Sequence, residues 1–129
     1  MDKKTRKFVE KLQRIEATEN AVYKNLSEFR GSNSSLLKRI AQDEFRHYNA
    51  WKKYTGKDVK PYKFEVFKYI FLAKIFGLTF AIKNMENKEK KIQERYFLVL
   101  SKIPDVKKIL ENEKGHEDKL VKLIKEEKL

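Results

Sequence analysis

Apolar residues recur along this chain at spacings of three and four, the period of helices that bury one face. From about Thr5 to Phe29 the stripe is Phe8, Leu12, Ile15, Val22, Leu26 and Phe29, with Glu16, Glu19 and Tyr23 set into it. Gly31-Ser-Asn-Ser-Ser35 reads as a turn leading into the N-cap of a second helix, about Ser34 to Tyr54. Its stripe of Leu37, Ile40, Ala41, Tyr48 and Trp51 is likewise interrupted, by Glu44 and His47. Residues 55–61 end that helix, and a third helical region covers roughly Tyr62 to Leu100. The break Lys102-Ile-Pro104-Asp105 precedes a last helix running to about Glu127, with proline well suited to its first turn. Only two prolines and four glycines occur, and no strand-type alternation competes. The predicted class is all-α, a single domain over residues 1–129.

The polar residues inside these stripes carry a pattern of their own. The chain has two histidines, and each follows a glutamate by three positions: Glu44-Phe-Arg-His47 and Glu113-Lys-Gly-His116. Positions i and i+3 share a helix face, so each pair aims a carboxylate and an imidazole at one spot. Glutamate fills 14 of 129 positions, so chance places it at both sites in roughly one shuffle in a hundred, and the double motif is informative. A repeat extends it: Glu16 is followed by Tyr23, and Glu89 by Tyr96, at the same interval of seven. In an antiparallel hairpin, residues at one level lie equally far from the turn. The midpoint between Glu16 and Glu44/His47 falls at Arg30-Gly31, and that between Glu89 and Glu113/His116 falls at 101–103. Both are predicted turns, so all four stretches are expected at one height in a four-helix bundle.

Residues 56–76 must then return along the bundle, as a long crossover requires. The run Val66 to Ile82 is apolar on all sides, carries Lys68 and Lys74, and is short for a membrane span. It reads as a core crossover helix entering the third bundle helix near Gly77, or as a helix unbroken through Gly77 and exchanged between protomers. So much apolar surface favours a homodimer.

Four carboxylates and two imidazoles match the charge and ligand preference of two divalent ions such as iron. In this reading Glu44 and Glu113 bridge the metals, Glu16 and Glu89 are terminal ligands, and His47 and His116 each bind one ion. Tyr23 and Tyr96 are placed to hydrogen-bond ligand carboxylates. Glu19 and Glu86, one turn from Glu16 and Glu89, are either further ligands that shift with oxidation state or solvated rim residues. Asp43, Glu94, Glu111 and Glu117 fall off the inward stripe and are expected at the surface.

The net charge of +12 arises from lysines spread through every segment and interleaved with glutamates. That describes a solvated helical surface with the Lys/Glu enrichment of a thermophile. No basic stripe or recognition motif accompanies it, so no nucleic-acid partner is expected; a basic face near an anionic membrane also fits. The lack of cysteine excludes disulfides, thiolate zinc and four-cysteine iron centres. It agrees with a cytoplasmic protein, and Met1 to Lys7 carries no apolar core of a signal peptide.

Glu16…Tyr23, Glu44-x-x-His47, Glu86/Glu89…Tyr96 and Glu113-x-x-His116 together resemble the rubrerythrin branch of the ferritin-like superfamily. The stretches Leu12 to Tyr23 and Phe76 to Glu89 are similar to the cytosolic ferritin-like domain of some vacuolar-iron-transporter-type membrane proteins. That domain precedes a transmembrane transporter, so the resemblance implies an excised domain or a freestanding relative. It also implies a ferritin-like bundle with two iron ions, manganese or zinc being substitutes, reacting with dioxygen or hydrogen peroxide. The expected activity is Fe(II) oxidation or peroxide reduction with an external electron donor, since no rubredoxin-type cysteines occur. The alternative is a non-catalytic domain that captures or senses iron or manganese for a membrane transporter; the third reading is a plain helical bundle.

Overall fold

A computed structural model describes residues 1–101 and 103–125, apart from the side chains of residues 95–100, 104, 117 and 123–125. Among the described residues five helices make up the regular structure: α1 (Lys3–Leu26), α2 (Ser34–Thr55), α3 (Lys63–Phe76), α4 (Leu78–Leu100) and α5 (Pro104–Lys125). Asp2 caps α1, its Oδ1 accepting from the Thr5 amide at 2.7 Å, and Asn33 caps α2 through the Leu36 amide at 3.3 Å. α1 stops at Leu26, short of the expected Phe29, where Ser27 turns its hydroxyl back onto the Lys24 carbonyl. The expected end of α5 near Glu127 lies outside the described residues.

Cross-helix contacts give the directions. Thr55 pairs with Gln13 and Asn20 with the Ala41 carbonyl, so α1 and α2 run antiparallel. Tyr54 meets Asp105, His47 meets Asn112 and Asp43 meets His116, which makes α2 and α5 antiparallel too. Tyr23 of α1 donates to Glu86 of α4. Beyond α2 the chain crosses back beside α1: Gln13 donates to the Lys57 carbonyl at 2.8 Å, and the Tyr62 amide donates to Thr18 Oγ1 at 2.9 Å.

The apolar third region is two helices. The chain reverses at Gly77, and the Glu65–Lys88 ion pair at 3.0 Å ties α3 to α4 side by side. Gly77 has φ 95° and ψ 163°, a conformation that L side chains rarely adopt. The break falls where the crossover reading placed the entry to the third bundle helix, and the alternative of a helix unbroken through Gly77 is not what forms. The buried face of α3 is Tyr69 and Ala73, while Phe64, Phe67, Phe71 and Ile75 stand exposed. A crossover buried on all sides is therefore not what this chain forms by itself. Among the described residues no helix is long and apolar enough to cross a membrane.

The core falls into two blocks. One gathers Val22, Tyr23, Leu26, Leu37, Ile40, Tyr69, Ile82, Met85 and Leu120. The other gathers Val9, Leu12, Trp51, Ile103, Val106 and Ile109. Each fully buried aliphatic or aromatic side chain contributes roughly 1.5–3 kcal/mol. On α1, α2, α4 and α5 alike, the glutamates and histidines lie between the two blocks, so packing above and below fixes their height.

Replacing Gly77 by alanine meets no atom within 4 Å, leaving backbone strain as the sole penalty. Gly77→Ala is expected to lower stability by about 1–3 kcal/mol, read from the midpoint of urea unfolding.

Candidate metal centre

Glu16, Glu19, Glu44, His47, Glu89, Glu113 and His116 are all buried, with Glu44 wholly inaccessible. One ligand atom from each of Glu16, Glu44, His47 and Glu113 lies within 4.8 Å of the others. The same holds for Glu16, Glu19, Glu44, Glu89 and Glu113. The two sets share Glu16, Glu44 and Glu113, and they diverge toward His47 on one side and Glu19 and Glu89 on the other. His116 joins through Nδ1, 3.3 Å from Glu44 Oε1 and 3.9 Å from Glu113 Oε2. His47 Nδ1 sits 2.9 Å from Glu113 Oε1 and 3.5 Å from Glu16 Oε2. The two imidazole rings lie near each other at the α2–α5 contact, their centroids 6.3 Å apart.

Most of these atoms face one another in close ion-pair contact without the alignment of a hydrogen bond. Glu16 Oε2, Glu19 Oε2, both Glu44 oxygens, Glu89 Oε2, Glu113 Oε1 and both histidine Nδ1 atoms are buried without a hydrogen-bond partner. Buried polar atoms are ordinarily satisfied, so orphans concentrated in one place mark a space that suits a cation. The donor set, carboxylate oxygen and imidazole nitrogen with no sulfur, fits a hard or borderline metal ion.

The far side of each imidazole is anchored. His47 Nε2 is 2.7 Å from Asn112 Oδ1, and His116 Nε2 is 2.5 Å from Asp43 Oδ2. Both partners accept, which keeps the Nε2 proton outward and turns the Nδ1 lone pair to the cluster. Asp43 corrects the sequence expectation: it is buried, not at the surface, because the α2–α5 contact covers it, and Arg46 neutralises its other oxygen. The signal was present in the chain. An acid or amide precedes each motif glutamate, Asp43-Glu44-x-x-His47 and Asn112-Glu113-x-x-His116, and each reaches the opposite histidine.

The remaining predicted residues divide. Glu19, weighed as a ligand or a rim residue, is buried within the cluster. Glu86 stands half-buried at its edge and accepts from Tyr23. Gln93 donates to Glu89 Oε1 at 3.0 Å. Glu94 and Glu111 are exposed as expected, whereas the side chains of Tyr96 and Glu117 lie outside the described residues. A cavity of ≈ 280 Å³ between α1, α3 and α4 has Glu19, Glu89, Tyr62, Tyr69 and Glu65 in its wall, and another of ≈ 300 Å³ between α4 and α5 is lined by Glu86, Glu89 and Glu113. Small molecules and ions therefore reach the carboxylates from two sides.

Comparison with protein-family models, with curated proteins and with solved structures finds no match for this chain. The chemistry of the site rests on its own atoms.

Those atoms are electrostatically crowded. Burial, then repulsion from Glu113 and Glu16, raises the Glu44 pKa well above the ordinary carboxylate value. Burial likewise raises Glu19 and Glu89, and Glu16 to a lesser degree. Burial opposes charge on His47, but the Glu113 and Glu16 carboxylates outweigh it and lift its pKa to about 10. Glu113, opposed by burial but paired with His47, is lowered, and His116 is lowered, chiefly by burial.

The signs give a pH dependence for the metal-free protein. A folded pKa raised above its unfolded value stabilises at low pH and is lost as pH rises. His47 therefore loses its contribution between about 6.5 and about 10, and the raised carboxylates act with the same sign above 4.5. The lowered His116 and Glu113 work oppositely, but only below 6.5 and 4.5. Chelator-treated protein is thus expected to melt at progressively lower temperature from pH 7 to 10 in a scanning calorimeter.

Proposed function

We propose that this cluster is a dinuclear metal centre of the rubrerythrin type and that iron is its working metal. The observation that carries the reading is the set of orphaned carboxylate oxygens and imidazole nitrogens converging from α1, α2, α4 and α5. Two antiparallel hairpins, α1–α2 and α4–α5, joined by α3 supply the ligands, an order that supports a ferritin-like arrangement. Glu16, Glu44 and Glu113, common to both groups, would hold the metal together with Glu89, and His47 and His116 would offer Nδ1.

Bound iron would supply one-electron redox chemistry, enabling Fe(II) oxidation by dioxygen or reduction of peroxide with an external donor. The chain's own residues do the rest. Asp43 and Asn112 hold the imidazoles in the ligating tautomer. His47, beside Glu113 and Glu16, would give up its Nδ1 proton on holding a cation. Tyr23 holds Glu86 at the rim of the cluster through its hydroxyl. The apolar blocks close off the cluster above and below along the bundle.

The fifth buried carboxylate, Glu19, favours a second reading. Added negative charge strengthens cation retention, which suits a domain that captures or senses iron or manganese for a membrane transporter.

Protein purified without oxygen is expected to take up about two Fe(II) per chain, and Glu44→Ala to lose that uptake, as measured by elemental analysis. Metal content unchanged in Glu44→Ala would remove the centre altogether. Catalysis requires repeated turnover of Fe(II) or peroxide in stopped-flow absorbance; binding without turnover selects the capture reading. Asp43→Ala and Asn112→Ala are each expected to weaken metal affinity by about 10–100-fold in a competition titration.

A further inference from the structure

The outer face of α3 carries Phe64, Phe67, Phe71 and Ile75 in helical register, at 78, 71, 60 and 59% exposure. Phe76 and Phe80 extend the patch around the Gly77 reversal. With α3's opposite face fixed by Tyr69 and Ala73, this apolar stripe is held rigidly outward. Successive helical residues turn by about 100°. That rotation sets the exposed Lys63 and Lys74 along one border of the stripe, while the half-buried Lys68 on the other border turns its ammonium to Glu65 and the Tyr69 ring. The acidic residue of α3, Glu65, points the other way, half-buried and paired with Lys88 and Lys68.

We propose that this face docks on an anionic lipid surface. An aromatic stripe beside a lysine border is the arrangement in which rings enter the headgroup boundary while ammonium groups reach lipid phosphates. At 14 residues α3 is too short to cross a bilayer and well sized to lie along one. Charge selects lipid over a second copy. The chain carries +12, and apposing two α3 faces brings their lysine borders together, whereas an anionic leaflet complements them. The helix is already folded against α1 and α4, so docking orders no backbone. The surface lies apart from the metal centre, and this inference does not depend on what that centre does.

Co-sedimentation with phosphatidylcholine vesicles, with and without phosphatidylglycerol, tests the assignment. The protein is expected to pellet with the anionic vesicles alone and to be released by raised salt. Two variants at exposed positions, Phe67→Ser/Phe71→Ser and Lys63→Glu/Lys74→Glu, are each expected to bind at least about tenfold more weakly, with unchanged circular dichroism. Failure of the unmodified protein to pellet with anionic vesicles overturns the proposal, as does binding that neither variant reduces. Sedimentation velocity provides the contrary outcome: a dimer dispersed by Phe67→Ser/Phe71→Ser, without vesicle binding, gives this face to a second copy.

Discussion

Five carboxylates and two imidazoles occupy a space from which solvent is largely excluded, and the rest of the molecule is arranged around that constraint. Like charges so close cannot all ionise in a medium of low polarity. The metal-free protein resolves the conflict by keeping protons: Glu19, Glu44 and Glu89 are pushed toward their neutral forms, while an imidazolium at His47 sustains the Glu113 carboxylate. A divalent cation bound there would resolve it by neutralising the group and releasing those protons, so that proton binding and cation binding would compete for one set of atoms. The apolar blocks on either side are what make so unfavourable a cluster tolerable in the fold.

Much of this was legible in the chain. The helical periods, the glutamates and histidines interrupting them, and the coincidence of motif midpoints with turns are one-dimensional facts, and the four site-bearing stretches do meet at one level. Asp43 was not legible from amphipathicity, because it is rotated about 100° from Glu44 and so falls off the inward stripe. Its burial depends on where α5 lies against α2, a long-range relation. The ambiguity at Glu19 had a similar source: the stripe shows which face is inward, but not how far the neighbouring α3 and α4 cover it.

At Gly77 the sequence left two readings open, a crossover helix ending there and one unbroken through it, for a different reason. Periodicity reports a helix boundary only if the apolar face changes phase or polar residues intervene, and around Gly77 neither occurs. The positive φ there converts a nominally continuous apolar run into a hairpin. That reversal sends α3 along α1, where its inner face walls the cavity beside Glu19 and Glu89. It also leaves the phenylalanines outside. One turn residue therefore determines both how the carboxylates are approached and which surface the molecule offers to its surroundings.

The reciprocal contacts between α2 and α5 carry a consequence for how the halves find each other. Asp43 holds His116, and Asn112 holds His47. A slip of one helical turn, about 5.4 Å, disengages both rings at once, so no partly aligned arrangement retains half of the gain. The two contacts work as a vernier: the second hairpin either seats against the first in a single alignment or leaves both imidazoles unmoored.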